Sequence, residues 1–247
     1  MVIHLAWGIT GAGQFLSETV AMMNRIKKRR VKITTLLSPA AEEVVRMYGL
    51  VAEIAEISPG GYYEEILTST SEKASSPTAG RLHLQKYSAF VISPCTANTV
   101  AKMAHGIADT LITNAAAQAQ KGGVPLIILP SDWISQKSRT CLPHVINRDI
   151  CNSCQKCVTI CKQSAISMVH GKARITLMRC TACGDCLQAC PVHAIAFMEV
   201  IDTKTRSIDV ENVQRLKRTK GIRVCRTPEN LEKELMKSDP CSWCSRG

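Results

Sequence analysis

The sequence predicts an α/β fold, a doubly wound parallel sheet with a smaller, cysteine-rich α+β module inserted near its end. Three observations carry that expectation. Short apolar runs alternate with amphipathic stretches through the first 147 residues, the pattern of parallel strands joined by crossover helices. Eight of the 13 cysteines fall into two matching runs between residues 151 and 190. Helix-like and strand-like patterning then returns after residue 202, where a doubly wound sheet still needs a strand. The expected organisation is one domain over 1–147, the cysteine module over 148–202, and residues 203–247, whose strand and helix complete the first domain before a tail.

Taken in order, residues 2–6 are a short apolar strand and 8–13 (GITGAG) the loop after it. A helix from about Gln14 then places Phe15, Thr19, Met22, Met23 and Ile26 on one face. The basic run at 27–30 reads as the solvated end of that helix, where cations complement the helix dipole. Residues 32–37 form the next strand. Ser38 then supplies an N-cap with Pro39 at the first helical position, and Gly49 stops the helix. Residues 90–93 and 126–129 read as buried strands, with helical stretches near 99–105 and 109–120. Later, 209–218 reads as helix, 221–225 as strand and 228–236 as helix, with Cys241 and Cys244 in a frayed tail.

Thirty-one Lys plus Arg against 20 Asp plus Glu give a net charge of +11. That charge is spread along the chain without interleaved aromatics or a basic tail, so nucleic acid is not an expected partner. No charged leader with an apolar core opens the sequence, and no apolar run reaches about 18 residues. Membrane insertion is therefore not expected, and a cytoplasmic location is. Cytosolic thiols stay reduced, so 13 cysteines point to metal or redox chemistry rather than to disulfides.

The two runs are CNSCQKCVTIC (Cys151, Cys154, Cys157, Cys161) and CTACGDCLQACP (Cys180, Cys183, Cys186, Cys190). They lie 29 residues apart, and Ala165-Ile166 stands at the same offset from Cys161 as Ala194-Ile195 from Cys190. The spacing C-x2-C-x2-C-x3-C resembles that of the bacterial two-cluster ferredoxins, in which the fourth thiolate of each run ligates the other cluster. The resemblance implies two 4Fe-4S clusters, one held by Cys151, Cys154, Cys157 and Cys190, the other by Cys180, Cys183, Cys186 and Cys161. Structural zinc is the competing reading, but zinc favours paired CxxC knuckles closing four ligands. Lys162 departs from the proline that usually follows the fourth cysteine. Between the runs, 166–177 reads as a hairpin turning at Gly171-Lys172. Each such cluster with its thiolates carries about two negative charges, which offsets part of the +11.

The loop 8–13 is a candidate phosphate cradle, although a tight turn with no ligand would look the same. It is not a dinucleotide fingerprint, because Leu16 stands at the third glycine position and the strand at 32–37 ends without an acidic residue. A mononucleotide suits it better. The stretch SPCTANTVAKMAHGIADTLITNAA at 93–116, with GITG at 8–11, resembles the flavoprotein family of the homo-oligomeric flavin-containing cysteine decarboxylases. The resemblance implies a flavodoxin/Rossmann-like domain that binds FMN. Gly8, Ile9, Thr10, Gly11 and Ser38 would lie near the ribityl phosphate, and Thr96, Ala97, Asn98 and Thr99 near the flavin. Cys95, in place of the usual small residue, reads as packing.

Two departures speak against decarboxylation. The family's catalytic histidine falls at Gly80, with His83 out of register, and its asparagine-bearing recognition segment reads Pro130-Ser131-Asp132-Trp133. The combination of FMN with two one-electron clusters, and SPTAGR at the histidine position, resembles the archaeal iron-sulfur flavoproteins that reduce dihydromethanopterin. That resemblance implies an oxidoreductase taking dihydromethanopterin to tetrahydromethanopterin with low-potential electrons from reduced ferredoxin or a similar donor. It also implies a homo-oligomer of trimers or their multiples. An electron-transfer module without a substrate of its own, and a cysteine decarboxylase relative, are the alternatives. Asp132, beyond the strand at 126–129, is the candidate catalytic residue, as an acceptor for the two-donor edge of a pterin, with Lys137 for its polar tail. A cap on the following turn is the competing reading of Asp132.

Overall fold

The computed structural model describes residues 2–133 and 138–237. The strands are β1 (Ile3–Ile9), β2 (Val31–Leu37), β3 (Ile66–Thr68), β4 (Ala89–Cys95), β5 (Leu126–Pro130), β6 (Ser138–Leu142), β7 (Val145–Ile146), β8 (Ile166–Val169), β9 (Lys172–Ile175), β10 (Ile195–Ala196), β11 (Glu199–Thr203) and β12 (Ile222–Val224). The helices are α1 (Leu16–Lys27), α2 (Pro39–Met47), α3 (Val51–Ile57), α4 (Ser69–Glu72), α5 (Gly80–His83), α6 (Ala97–Ala104), α7 (Leu111–Lys121), α8 (Lys156–Ile160), α9 (Asp185–Ala189), α10 (Ser207–Lys217) and α11 (Pro228–Lys237).

Six strands form one sheet in the order β12-β5-β4-β1-β2-β3, every pairing parallel. Successive side chains of a strand point to opposite faces, and both faces here are covered. Leu5, Trp7 and Ile9 pack with α1, α2, α3 and α11, whereas Ala6, Phe90 and Ile92 pack with α5, α6, α7 and α10. Strand β12, more than 90 residues after β5, pairs with it through Ile222, Arg223 and Val224 and is held from one face by α10. The segment carrying the cysteine runs thus lies in sequence between two neighbouring strands of the same sheet.

The first strand is longer than its apolar run suggests. β1 continues through Gly8 and Ile9, which pair with Leu36 and Leu37, and Gly8 also pairs with Ile92. Those two residues belong to the strand rather than to the loop. Glycine fits position 8 because a Cβ there would come within 3.2 Å of the Phe90 and Ile112 side chains. Consequently α1 begins at Leu16, after Phe15 in a left-handed conformation, and its buried face includes Leu16 and Val20. The expected cap of α2 is present: Ser38 Oγ accepts the Ala41 N–H at 3.1 Å, with Pro39 next. At the other end Gly49 takes φ +75, as a chain leaving a helix requires.

The chain leaves and re-enters the sheet through an antiparallel ribbon, β6 with β11, which the sequence reading did not anticipate. Beyond it lie β7 paired with β10, the β8/β9 hairpin, and the short helices α8 and α9, which carry the third cysteine of each run, Cys157 and Cys186. The hairpin turns at His170-Gly171, with φ of 48 and 70, and not at Gly171-Lys172, since Lys172 already pairs with Val169. Two left-handed residues are what a tight two-residue hairpin needs. This module docks against the end of α2: Gly49 meets Ala182, and Tyr48 donates its hydroxyl to the Cys141 carbonyl.

Candidate functional site

Sheet order reverses between β1 and β4, and ligands of doubly wound sheets bind beyond the strand tips at such a switch point. The residues expected there are brought together by specific bonds. Buried Thr10 donates its hydroxyl to the Pro94 carbonyl at 2.8 Å and accepts the Thr96 N–H at 2.8 Å. The Ser38 N–H donates to the Ile9 carbonyl at 3.1 Å. The loop after β1 is therefore tied directly to the N-termini of α2 and α6. A Cβ on Gly11 would strike Ala40, and one on Gly13 would strike the Tyr48 hydroxyl, so both glycines serve close approach.

The hydroxyls expected to line the two ends of the FMN cradle already have partners in the protein. Ser38 caps α2, and Thr96 Oγ1 accepts the Thr99 N–H at 3.4 Å at the start of α6 while bonding Thr99 Oγ1 at 3.1 Å. Ala97 opens α6, Asn98 is exposed, and Thr99 is buried. What the cradle offers a ligand is mainly the positive ends of two helices, without an acidic side chain at 8–13, 38–41 or 96–99. That donor set suits a phosphate-bearing mononucleotide. Cys95 is fully buried, and burial pushes its thiol well above the usual range, in keeping with a packing role.

The eight cysteines divide between two cavities. Cys161, Cys180, Cys183 and Cys186 line one. Cys151, Cys154, Cys157 and Cys190 line the other. They are grouped as in the two crossed sets of four that the ferredoxin resemblance implies. Backbone N–H groups point at the sulfurs: Ala165 to Cys161 at 3.3 Å, Ala182 to Cys180 at 3.4 Å and Ala194 to Cys190 at 3.2 Å. The duplicated Ala-Ile pair now has a physical reason, since both alanines donate to the fourth cysteine of their run. Lys162 is exposed and leaves the Ala165 bond intact.

The thiols feel this crowding. Burial, then the neighbouring Cys180, Cys183 and Cys161, push Cys186 up to about 11, while the N–H groups of Ala173 and Ser153 hold Cys151 below its ordinary value. Iron would neutralise the mutual repulsion. Among the described residues no three His, Cys, Asp or Glu side chains converge on one point suited to a single metal ion. Four thiols lining each cavity are the donor set that a 4Fe-4S cube takes.

At the other end of the crevice, the Ser131 N–H donates to the Cys95 carbonyl at 2.9 Å, fixing the chain where β5 ends. Asp132 follows, half-buried, and accepts the Ser131 hydroxyl at 2.8 Å. The Ser138 hydroxyl reaches Gln14 Oε1 at 2.7 Å and the Ser131 carbonyl at 3.1 Å, joining the loop after β1 to the start of the ribbon. Lys137, Cys241 and Cys244 lie outside the described residues.

Sequence reasoning missed two features. Buried Glu72 accepts both the N–H and the hydroxyl of Thr78 at 2.8 Å, which organises the SPTAGR segment around a carboxylate in place of a histidine. Gly80 opens α5, and His83 at its end is exposed. The second feature is His144, 2% exposed, lining the cavity of Cys161, Cys180, Cys183 and Cys186.

A mononucleotide cradle at the switch point of a parallel sheet, joined to a module with two four-cysteine cavities, defines the class of iron-sulfur flavoproteins. The flavoprotein family model matches residues 2–162 and that of the 4Fe-4S dicluster domain residues 143–191. The chain is 41% identical over 233 residues to the dihydromethanopterin reductase (acceptor) of Methanosarcina mazei, covering 92% of this chain and 97% of that protein. It is 43% identical over 231 residues to the protein of the same name from Methanocaldococcus jannaschii, covering 93% and 94%. The chain belongs to the flavoprotein family and, within it, to the family of these dihydromethanopterin reductases. A crystal structure of Burkholderia xenovorans DmrB with FMN, described as a cubic protein cage for redox transfer, superposes with a TM-score of 0.60 at 24% identity over 95% of this chain and 94% of that one.

Proposed function

We propose that this protein reduces dihydromethanopterin to tetrahydromethanopterin, taking up two electrons and two protons per turnover. The observation that carries the reading is the joining of a mononucleotide cradle to two four-cysteine cavities in one chain, together with extended identity to two reductases of that name. When bound, the clusters supply electrons singly and FMN collects two and passes them as a hydride.

The chain's own residues divide the remaining work. Gly8, Ile9, Thr10, Gly11 and Ser38 shape the phosphate end of the FMN cradle, and Thr96, Ala97, Asn98 and Thr99 its flavin end. Cys151, Cys154, Cys157 and Cys190 hold one cluster, and Cys180, Cys183, Cys186 and Cys161 the other. Asp132 accepts hydrogen bonds from the pterin edge. The donor is reduced ferredoxin or another low-potential carrier, and the working form is a cytoplasmic homo-oligomer of trimers or their multiples. Among the described residues no helix is long and apolar enough to cross a membrane.

Stopped-flow mixing tests the reading. The anaerobic, photoreduced protein should be reoxidised stoichiometrically by dihydromethanopterin. An electron-transfer module without a substrate would exchange electrons with ferredoxin and remain reduced in the presence of the pterin. Carbon dioxide release from a cysteine substrate would favour the decarboxylase relatives, against which Gly80 speaks.

A further inference from the structure

His144 sits between β6 and β7 with its ring buried. Its Nδ1 lies 4.0 Å from Cys180 Sγ, the outer reach of a hydrogen bond to sulfur. The ring stacks on Phe197 with centroids 4.4 Å apart and planes at 24°, and Phe197 meets Tyr48 at 6.4 Å. Tyr48 in turn donates to the Cys141 carbonyl and fills the space that a Cβ on Gly13 would take. One packed line of rings therefore runs from the Cys180 cavity to the loop after β1.

The surroundings of the ring favour one tautomer. His144 Nε2 is buried with no hydrogen-bond partner among the described residues. A buried N–H without an acceptor costs more than a buried ring nitrogen without a donor, so the proton belongs on Nδ1, facing the sulfur. Cys180 Sγ also accepts the Ala182 N–H at 3.4 Å. The cavity around Cys151 is built differently, with the backbone of Ala173 and Ser153 and the cations Lys172 and Arg148 beside the sulfur.

We propose that His144 is a positioning residue that donates its Nδ1–H to Cys180 Sγ and thereby sets the reduction potential of the cluster site packed against the flavin domain. This rests on the cluster assignment above. Reduction adds negative charge to a cluster and its thiolates, so an N–H donor favours the reduced form, and hydrogen bonds to the sulfurs are a recognised control of potential.

The test is a redox titration of the anaerobic full-length holoprotein, followed by electron paramagnetic resonance. His144→Phe keeps a ring against Phe197 and removes the donor. One cluster should become about tenfold harder to reduce, a fall of about 59 mV for one electron, while the other keeps its midpoint. His144→Gln, which retains a donor, should recover part of the shift. Unmoved midpoints, or equal shifts in both clusters, would overturn the proposal. Pulsed resonance on the reduced wild-type protein with ¹⁵N-labelled histidine gives a readout independent of any variant. A histidine nitrogen coupled to one cluster is expected, and its absence would also overturn the proposal. Wild-type iron well below about eight per chain would instead count against the cluster assignment itself.

Discussion

Thr10 and Thr96 are bound to each other across the switch point of the sheet, the Thr96 N–H donating to Thr10 Oγ1 at 2.8 Å. The same hydroxyl donates to Pro94, so one small side chain holds the β1 loop against the start of α6. Thr10→Ala would leave the Thr96 N–H without its acceptor, while the Pro94 carbonyl keeps the Thr10 N–H at 3.2 Å, and would loosen the cradle at about 1–3 kcal/mol. Flavin affinity, measured by fluorescence titration of the deflavinated protein, should fall on the order of tenfold. Thr10→Ser should bind nearly as the wild type does. Unchanged affinity in the alanine variant would show that the clamp does not shape the cradle.

The proposed crossing of ligands between the two cysteine runs gives a second prediction. Cys161 lines the cavity of Cys180, Cys183 and Cys186, and Cys190 that of Cys151, Cys154 and Cys157. Cys161→Ser and Cys190→Ser should each lower iron from about eight to about four per chain if two cubanes form. The surviving cluster should differ between the two variants in its resonance signal. If both variants lost the same cluster, or lost zinc instead of iron, the crossed assignment would fail.

The sequence and the structure agree most closely where periodicity and capping are local. The cap at Ser38, the stop at Gly49 and the strand at 126–129 could be read because each depends on a few adjacent residues. The end of β1 could not, because Gly8 and Ile9 are held in the strand by partners at 36, 37 and 92. The ribbon of β6 and β11 joins residues about sixty apart in sequence, and neither half has a strong alternating pattern. In the site, thiolate spacing is a covalent requirement of the cluster and is written into the chain. His144 had no such signal, since it meets Cys180 only through the fold, 36 residues away.

Acid should weaken the junction where the chain re-enters the sheet. The Arg206 guanidinium bonds Asp209 at 2.7 and 2.8 Å at the start of α10 and holds that carboxyl below the usual range. A depressed carboxyl pKa contributes stability that is present above the unfolded value, near 4, and is lost as pH falls through the lower folded value. Asp209→Asn should therefore lower Tm by on the order of a few degrees at pH 7, and the gap from wild type should close below about pH 4. A gap that persisted unchanged into acid would mean that the carboxylate charge contributes nothing there.

Asp132 gives the most direct test of where the pterin lies. It stands just beyond β5, where doubly wound sheets bind ligands, and its neighbour Ser131 is anchored to Cys95 at the end of β4. The Ser131 hydroxyl occupies one carboxylate oxygen at 2.8 Å, and a carboxylate can accept several further bonds. A pterin offers an amino group and an adjacent ring N–H side by side, which a carboxylate can take as a pair. In Asp132→Asn one acceptor becomes a donor, while the Ser131 anchor to Cys95 is retained. FMN content, iron content and reduction of the clusters should be unchanged. Reoxidation of the flavin by dihydromethanopterin should slow by a factor on the order of ten to a few hundred, corresponding to about 1.5–3 kcal/mol for a charge-assisted bond. Stopped-flow traces that matched the wild type would assign Asp132 to the turn after β5, with its carboxylate serving Ser131 and the Arg206 charge.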